Sequence, residues 1–572
     1  MKKAALFLIL VFPLLITSCM KGESVDVIIH NAKVHTMNAD GDVFEAVAIR
    51  DGKIVEVGPE RQILNKYSAD EYIDAQKKDV YPGWVDAHGH ILSYAKQTLS
   101  VNLIGCKSYD EVIIRIEKYQ SRYNRKFIIG RGWDQSLWDG KMPNNELLNE
   151  KFPDIAVCLF RIDGHALLAN DFLMKKSDVI NKFNEDSELN QGGYFETDTV
   201  RSIATEEFLS QPHILCNDGH IGVIKPTGVF VDNAMNPIIE ILPEFGKKEL
   251  KDAILEVQHE LLMYGITGVH EAGMNRAEFK MMDRMVSQRD LKINIYGMLL
   301  PSKENIAFAR KNGIYKNKNL YVRSFKVYGD GALGSRGAFL KHPYADKHDH
   351  SGYLTTSLTR MKLIAEICHE TGYQMNTHAI GDSTNKLILG IYQDAIEVNP
   401  GHRWRVEHAQ IVDPEDFALF AQAGAFASVQ PTHATSDQRW AEDRIGSERM
   451  EGAYAFSSIL ANTGRLAIGT DFPVEYIDPF RTIHSAVNRK NMDNEPSNGF
   501  LANESITLEE CIKGMTIWAA EASFQEESLG TIEKGKDATL SIFEDRVVAN
   551  GSYTQNFAYM VYIKGKKVYS VE

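Results

Sequence analysis

The sequence predicts an α/β protein: a (β/α)8 TIM-type barrel with a small composite β-sandwich formed by both chain ends and an insertion after the first barrel strand. Three observations predict it. The middle of the chain repeats an amphipathic helix, a glycine and an apolar strand. Each of these strands closes on a histidine or an aspartate. Both chain ends carry short β-type runs broken by turn residues. A chain of 572 residues has room for a barrel with additions, and 44% hydrophobic with 24% charged residues excludes a disordered chain.

The chain opens with MKKAALFLILVFPLLITSC, two lysines followed by an apolar run. That run is shorter than the roughly 20 residues a membrane span needs, so residues 1–18 read as an export signal. Its ending, Ile16-Thr17-Ser18-Cys19, resembles a bacterial lipobox. This implies cleavage before Cys19, acylation of its thiol and an exported protein lipid-anchored in the cell envelope; an ordinary secretory signal cut nearby is the alternative. The remaining cysteines are Cys106, Cys158, Cys216, Cys368 and Cys511. An odd number without Cys-x-x-Cys spacing indicates buried thiols rather than a disulfide framework or a structural zinc site.

Residues 24–80 contain VDVIIHNAKVHTMNADGDVFEAVAIRDGKIVEVG, in which strand-forming runs are separated by Asn-Ala-Asp-Gly and Arg-Asp-Gly turns. Residues 531–572 carry GTIEKGKDATLSIFE and MVYIKGKKVYSVE, with strands around Gly-Lys turns. Neither piece is long enough for a good core, so the two are expected to pair into one domain. A contiguous N-terminal domain is the simpler alternative.

The barrel is assigned to residues 81–475, with its last helices in 476–530. YPGWVDAHGHI ends the first strand and sets Asp86, His88 and His90 at alternate positions, hence on one face. Two imidazoles on one face can chelate a metal, although a core histidine beside a solvated neighbour gives the same pattern. Later helix–glycine–strand units turn at Gly265, Gly372, Gly424 and Gly464 and end near His270, His378, His433 and Asp471; another strand ends at His408. Buried strands avoid such residues, and the C-terminal face of a barrel is where catalytic side chains sit. A doubly wound sheet is disfavoured because no glycine-rich phosphate loop follows the first strand. Residues of about 95–245 are too many for one barrel connection and form the insertion. Its segments IIGRGWDQSLW and LFRIDGHALLAN place Trp133, Asp134, Asp163 and His165 beside apolar runs, as either a solvated hairpin or a wall over the barrel mouth.

The balance of 63 basic against 77 acidic residues, a net charge of −14, comes without a basic block that could grip phosphates, which argues against nucleic acid as a partner. Lys326, within the apolar SFKVYGDGALGSRGA, loses its hydration unless it is paired or modified; Asp330 is one candidate partner.

PGWVDAHGH, RIDGHALLAN, PTGVFVDNAM, FKVYGDGALGSRGA, NTHAIGD, RVEHAQ, SVQPTHATSD and AIGTDFPV together resemble the amidohydrolase superfamily. Within it the chain is most similar to the family-3, YtcJ-like metal-dependent hydrolases. The resemblance covers the chain from about residue 26 to the end. It implies one or two divalent ions, zinc as the usual metal, held by His88, His90, a carbamylated Lys326, His378, His408 and Asp471, with Asp471 also the catalytic base. It implies substrate contacts for Trp133, His165, Arg336 and His433, while His270 has either a pocket role or a core role. The expected activity is hydrolysis of a non-peptide carbon–nitrogen bond, an amide or N-acyl group of a small molecule. The alternatives are a deaminase, a lactone or ester hydrolase, or a solute-binding lipoprotein without turnover. Self-association is left open.

Overall fold

The computed structural model describes residues 22–138, 140–186, 189, 191–201, 213–215, 221–547 and 552–571. Residues 1–18, expected to be an export signal, lie outside the described residues, as do Cys19 and Cys216. Cys106, Cys158, Cys368 and Cys511 are free, buried thiols.

Eight parallel strands form the barrel: β1 (Trp84–Gly89), β2 (Ile266–Met274), β3 (Asn294–Leu299), β4 (Leu320–Tyr328), β5 (Gln374–Ala379), β6 (Arg405–His408), β7 (Phe426–Val429) and β8 (Ala467–Ile468). They are neighbours in that order. Every residue of β1, β5, β6 and β7 is buried, because one face of each strand fills the barrel and the other meets a helix. The chain reverses between helix and strand at glycines: Gly265 and Gly372 adopt φ of +75° and +73°, a left-handed conformation that only glycine takes at little cost.

β8 is short, and two backbone hydrogen bonds beyond its end join it to β1. The Asp471 amide donates to the His88 carbonyl at 2.7 Å, and the His90 amide donates to the Phe472 carbonyl at 2.9 Å. Gly469 permits this approach, since a Cβ there would lie 2.3 Å from the His88 nitrogen. The Asp86 carboxylate clamps the same seam. It accepts from the Thr470 hydroxyl at 2.6 Å and from the amides of Thr470 and His88, each at 3.1 Å.

Both chain ends meet in one six-stranded sheet. Ile542, Ser541 and Leu540 pair antiparallel with Val80, Tyr81 and Pro82. A four-stranded sheet from residues 23–74 packs with it around Val27, Ile29, Val47, Leu540 and Ile542. The insertion is a further sheet of seven strands, covered on each face by its own apolar cluster. This explains how it can stand as a wall beside the barrel mouth.

Candidate metal centre

His88, His408 and Asp471 meet at the C-terminal end of the barrel. His90 falls one residue past β1, at the N-cap position of the helix Ile91–Thr98, with no side-chain capping bond. Asp471 lies three residues past β8, and both His408 and Asp471 hold left-handed backbone, with φ of +74° and +61°. For residues other than glycine this costs roughly 1–3 kcal/mol each, a strain that persists where surrounding structure fixes a functional side chain.

One Asp471 oxygen, Oδ1, lies 3.0 Å from His90 Nε2 and 3.7 Å from His88 Nε2; the other, Oδ2, lies 3.7 Å from His433 Nε2. Two triads therefore have ligand atoms within 4.8 Å of one another: His88, His90 and Asp471, and His408, His433 and Asp471. His433, expected to touch substrate, lines the cavity and also stands with the candidate ligands, on the first turn of the helix Pro431–Asp437 that follows β7. Lys326 Nζ lies 3.0 Å from His88 Nε2, and among the described residues it forms no ion pair. Asp330 is not its partner. That carboxylate accepts from the amides of Ile380, Gly381 and Phe339 at 2.8–3.0 Å and so ties loops together. His378 packs its ring 4.6 Å from that of His408 and 5.0 Å from that of His165, and its Nε2 faces the Gly331 carbonyl at 3.4 Å. It lines the cavity but stands outside both triads.

The charges suit a cation. Burial, reinforced by the adjacent Lys326, pushes His88 down to about 4, and burial drives His378 and His408 well below the usual imidazole range. Neutral imidazoles have free lone pairs for a metal. Burial works to raise Asp471, but the neighbouring His90 and His88 imidazoles hold it well below the usual carboxylate range. Burial lowers Lys326 to about 8. His433 Nε2 is buried without a hydrogen-bond partner among the described residues, and the 3.0 Å contact of Asp471 Oδ1 with His90 Nε2 lacks the alignment of a hydrogen bond. Buried polar atoms rarely stay unpaired, so this donor set fits a divalent ion.

Beneath the centre, Glu407 bridges His88 and Arg405. Its Oε2 is 2.5 Å from His88 Nδ1, and its Oε1 is 2.8 Å from Arg405 Nε. Arg405 also donates to the Ala87 carbonyl and the Ser428 hydroxyl, each at 2.7 Å, and its Nη1 is 2.9 Å from His270 Nδ1. His270 is thus a core residue inside the barrel and not part of the cavity wall, which corrects the pocket role weighed for it.

The cavity above, about 650 Å3, is walled by barrel ends and insertion. His165 lines it, with Nδ1 2.6 Å from Asp232, whose second oxygen accepts from the Tyr353 hydroxyl at 2.8 Å. Arg161 pairs with Asp163 at 2.5 Å and Asp134 at 3.2 Å. Two other expected substrate contacts do not line it. Trp133 is buried in the insertion and donates to the Leu159 carbonyl at 2.7 Å, and Arg336 is tied to Asp346 at 2.9 Å. Alternation along a strand says that a residue leaves the local surface, not which of two cores it enters. Glu407, Asp232 and Arg161 went unassigned in the sequence. Their only signal is a charged residue within an apolar run, as in RVEHAQ.

A sequence model described as "Amidohydrolase family" matches residues 71–215 and 221–569. Protein LONG AFTER FAR-RED 3 of Arabidopsis thaliana is 27% identical over 563 residues, 95% of this chain and 91% of that protein. Putative amidohydrolase YtcJ of Bacillus subtilis (strain 168) is 27% identical over 90% of this chain and 93% of that protein. N-substituted formamide deformylase of Arthrobacter pascens is 23% identical over 91% and 93%. Among solved structures, an uncharacterized metal-dependent hydrolase from Pyrococcus horikoshii superposes with a TM-score of 0.71 at 24% identity, covering 92% of this chain and all of that one, and so shares the fold.

Proposed function

Because the chain belongs to the amidohydrolase family, we propose that it is a metal-dependent hydrolase that cleaves a non-peptide carbon–nitrogen bond, an amide or N-acyl group, in a small molecule. The observation that carries this reading is the gathering of His90, His88 and His433 nitrogens within 3.7 Å of one buried carboxylate, Asp471, at the floor of a cavity. The relative named N-substituted formamide deformylase supports the choice of bond.

His88, His90, His408 and Asp471 would hold the metal with His433 or His378, and imidazole with carboxylate ligands suits zinc. Lys326 joins them once carbamylated, since the added carboxylate supplies oxygen ligands where a buried ammonium has none. When bound, a divalent ion activates a water and polarises the substrate carbonyl. Asp471, ionised, accepts the proton that the water loses on attacking the carbonyl carbon. As the carbon–nitrogen bond breaks, the same carboxylate returns that proton to the departing amine, leaving a carboxylic acid and an amine. Glu407 keeps the His88 ring oriented through Nδ1.

The test is metal analysis of the purified protein together with turnover of formamides, N-acyl amino acids, cyclic amides, lactones and nucleobases. Metal-dependent release of an amine from an amide is the expected result. Turnover of lactones or nucleobases without amides would overturn the choice of bond, and a folded, active, metal-free protein would overturn the metal.

A further inference from the structure

The cavity wall carries more charge than hydrolysis needs, and nearly all of it is matched. Asp134 and Asp163 share Arg161, Asp232 faces His165 and Tyr353, and Glu475 accepts from the Ser436 hydroxyl at 2.6 Å. Asp437 accepts from Tyr454 at 2.8 Å, and Arg439 lies 3.7 Å from Asp134.

Apart from Lys326 at the metal centre, Arg131 is the exception among the described residues. It sits on the insertion strand Phe127–Trp133 and lines the cavity. Among the described residues its guanidinium makes no hydrogen bond and no ion pair, and its Nε is buried without a partner. It packs against the turn at Gly164. The turn at Gly164 passes so close that a Cβ there would lie 3.0 Å from Arg131 Nη2. The charges that act on it are Asp163, already paired, and Asp471 at the reaction centre. A half-buried guanidinium with free donors facing a cavity lacks a counter-ion, and its planar fork matches a carboxylate with two parallel hydrogen bonds. Ile104, Leu137, Ile162 and Trp440 on the same wall offer an apolar surface beside it.

We propose that Arg131 binds a carboxylate on the substrate, so that the molecule hydrolysed is an anionic amide: an apolar acyl group joined through the scissile bond to a carboxylate-bearing amine, as in N-acyl amino acids. This rests on the amide-hydrolysis reading above and adds the charge that selects the substrate. Arg131 positions the amide and takes no part in bond breaking.

N-benzoylglycine and its uncharged counterpart N-benzoylglycinamide are the probes, compared in wild type, Arg131→Met and Arg131→Lys after circular dichroism has verified folding. In wild type the acid should have a KM about 10–100-fold below that of the carboxamide, the range for a charge-assisted pair. Arg131→Met should erase that gap by raising KM for the acid alone, with kcat for both changed little, and Arg131→Lys should keep part of it. Calorimetric binding of both probes to Asp471→Asn, alone and combined with Arg131→Met, reads the same preference without turnover. Loss of the preference in Arg131→Met supports the assignment. Equal handling of acid and carboxamide by wild type, binding of neither probe, or an equal KM increase for both in Arg131→Met overturns it. Failure to hydrolyse any amide, with selective binding of the acid intact, would count against the reaction and not against the carboxylate site.

Discussion

Glu407 Oε2 lies 2.5 Å from His88 Nδ1, so the imidazole that opens the candidate metal centre is held from behind by a carboxylate on the strand five places around the barrel. The contact fixes which nitrogen of His88 faces the cavity. It also explains why RVEHAQ has charged residues at alternate positions of a buried strand: Arg405 and Glu407 both point into the barrel and neutralise each other at 2.8 Å. Glu407→Gln keeps the size but removes the charge. We expect metal affinity to fall by about 10–100-fold in a protein that still folds, measured by metal titration. The melting temperature should also fall, because Arg405 loses its counter-ion. Unchanged metal affinity would reduce Glu407 to a partner of Arg405.

Asp471 separates ligand from base. Asp471→Asn retains an oxygen near His90 but cannot accept a proton, so metal content should stay near wild type while kcat falls by about 10²–10⁴-fold. A solute-binding protein without turnover would show no such loss. Near-normal turnover in the variant removes Asp471 from the proposed proton transfer.

The barrel was legible because its signal repeats: helix–strand turns fall at Gly265, Gly372, Gly424 and Gly464, and the strands that follow end near a histidine or aspartate that has no place in a core. The seam was not legible. Nothing in AIGTDFPV says that the last strand stops at Ile468 and that Asp471 reaches the site through backbone bonds to β1. His270 and Glu271 show the limit most clearly. Adjacent on β2, they face opposite sides; His270 enters the barrel toward Arg405, while Glu271 turns outward to the amides of Ile91 and Leu92. Each had to be buried somewhere, and only the neighbouring strands and helices decide where. Arg131 was passed over for the opposite reason, since an arginine in a glycine-rich strand looks solvated until its missing partner is seen.

Glu271 gives a prediction in pH. Burial raises its carboxyl to about 8, although the Ile91 amide, at 2.7 Å, favours the charged form. A carboxyl raised in the folded state binds more protons there than in the unfolded chain, so its contribution is present at low pH and is lost as pH rises from its ordinary value toward 8. Glu271→Gln keeps an acceptor for that amide and removes the titration. Melting temperature between pH 5 and 8 should decline less in the variant than in wild type, the difference approaching at most about 1.4 kcal/mol per pH unit. An equal decline in variant and wild type would mean that Glu271 is ionised throughout.

The lipobox reading of Cys19 predicts that Cys19→Ala moves the protein from the membrane fraction to the soluble fraction with its melting temperature unchanged. Among the described residues no helix is long and apolar enough to cross a membrane. Retention of the variant in salt-washed membranes would overturn the anchor.

Lys326 carries the last prediction, because its geometry is contradictory as a plain ammonium. Nζ faces His88 Nε2 at 3.0 Å, and a proton donated there would occupy the lone pair that a metal requires. Addition of carbon dioxide to the neutral amine, with release of one proton, replaces that donor with an anionic carboxylate and removes the conflict. Intact-protein mass measured under native conditions should therefore exceed the mass of the processed sequence plus metal by one carbon dioxide per chain, and acid treatment should remove the excess. Lys326→Ala should lose at least one ion and most of its turnover, and acetate or formate should restore part of both by standing where the carbamate oxygens were. Lys326→Arg keeps a cation but cannot form a carbamate and should behave like the alanine variant without rescue, since the side chain fills the space. Full metal content and turnover in Lys326→Arg would show that the cation itself serves the site, and the carbamate would then have no part in it.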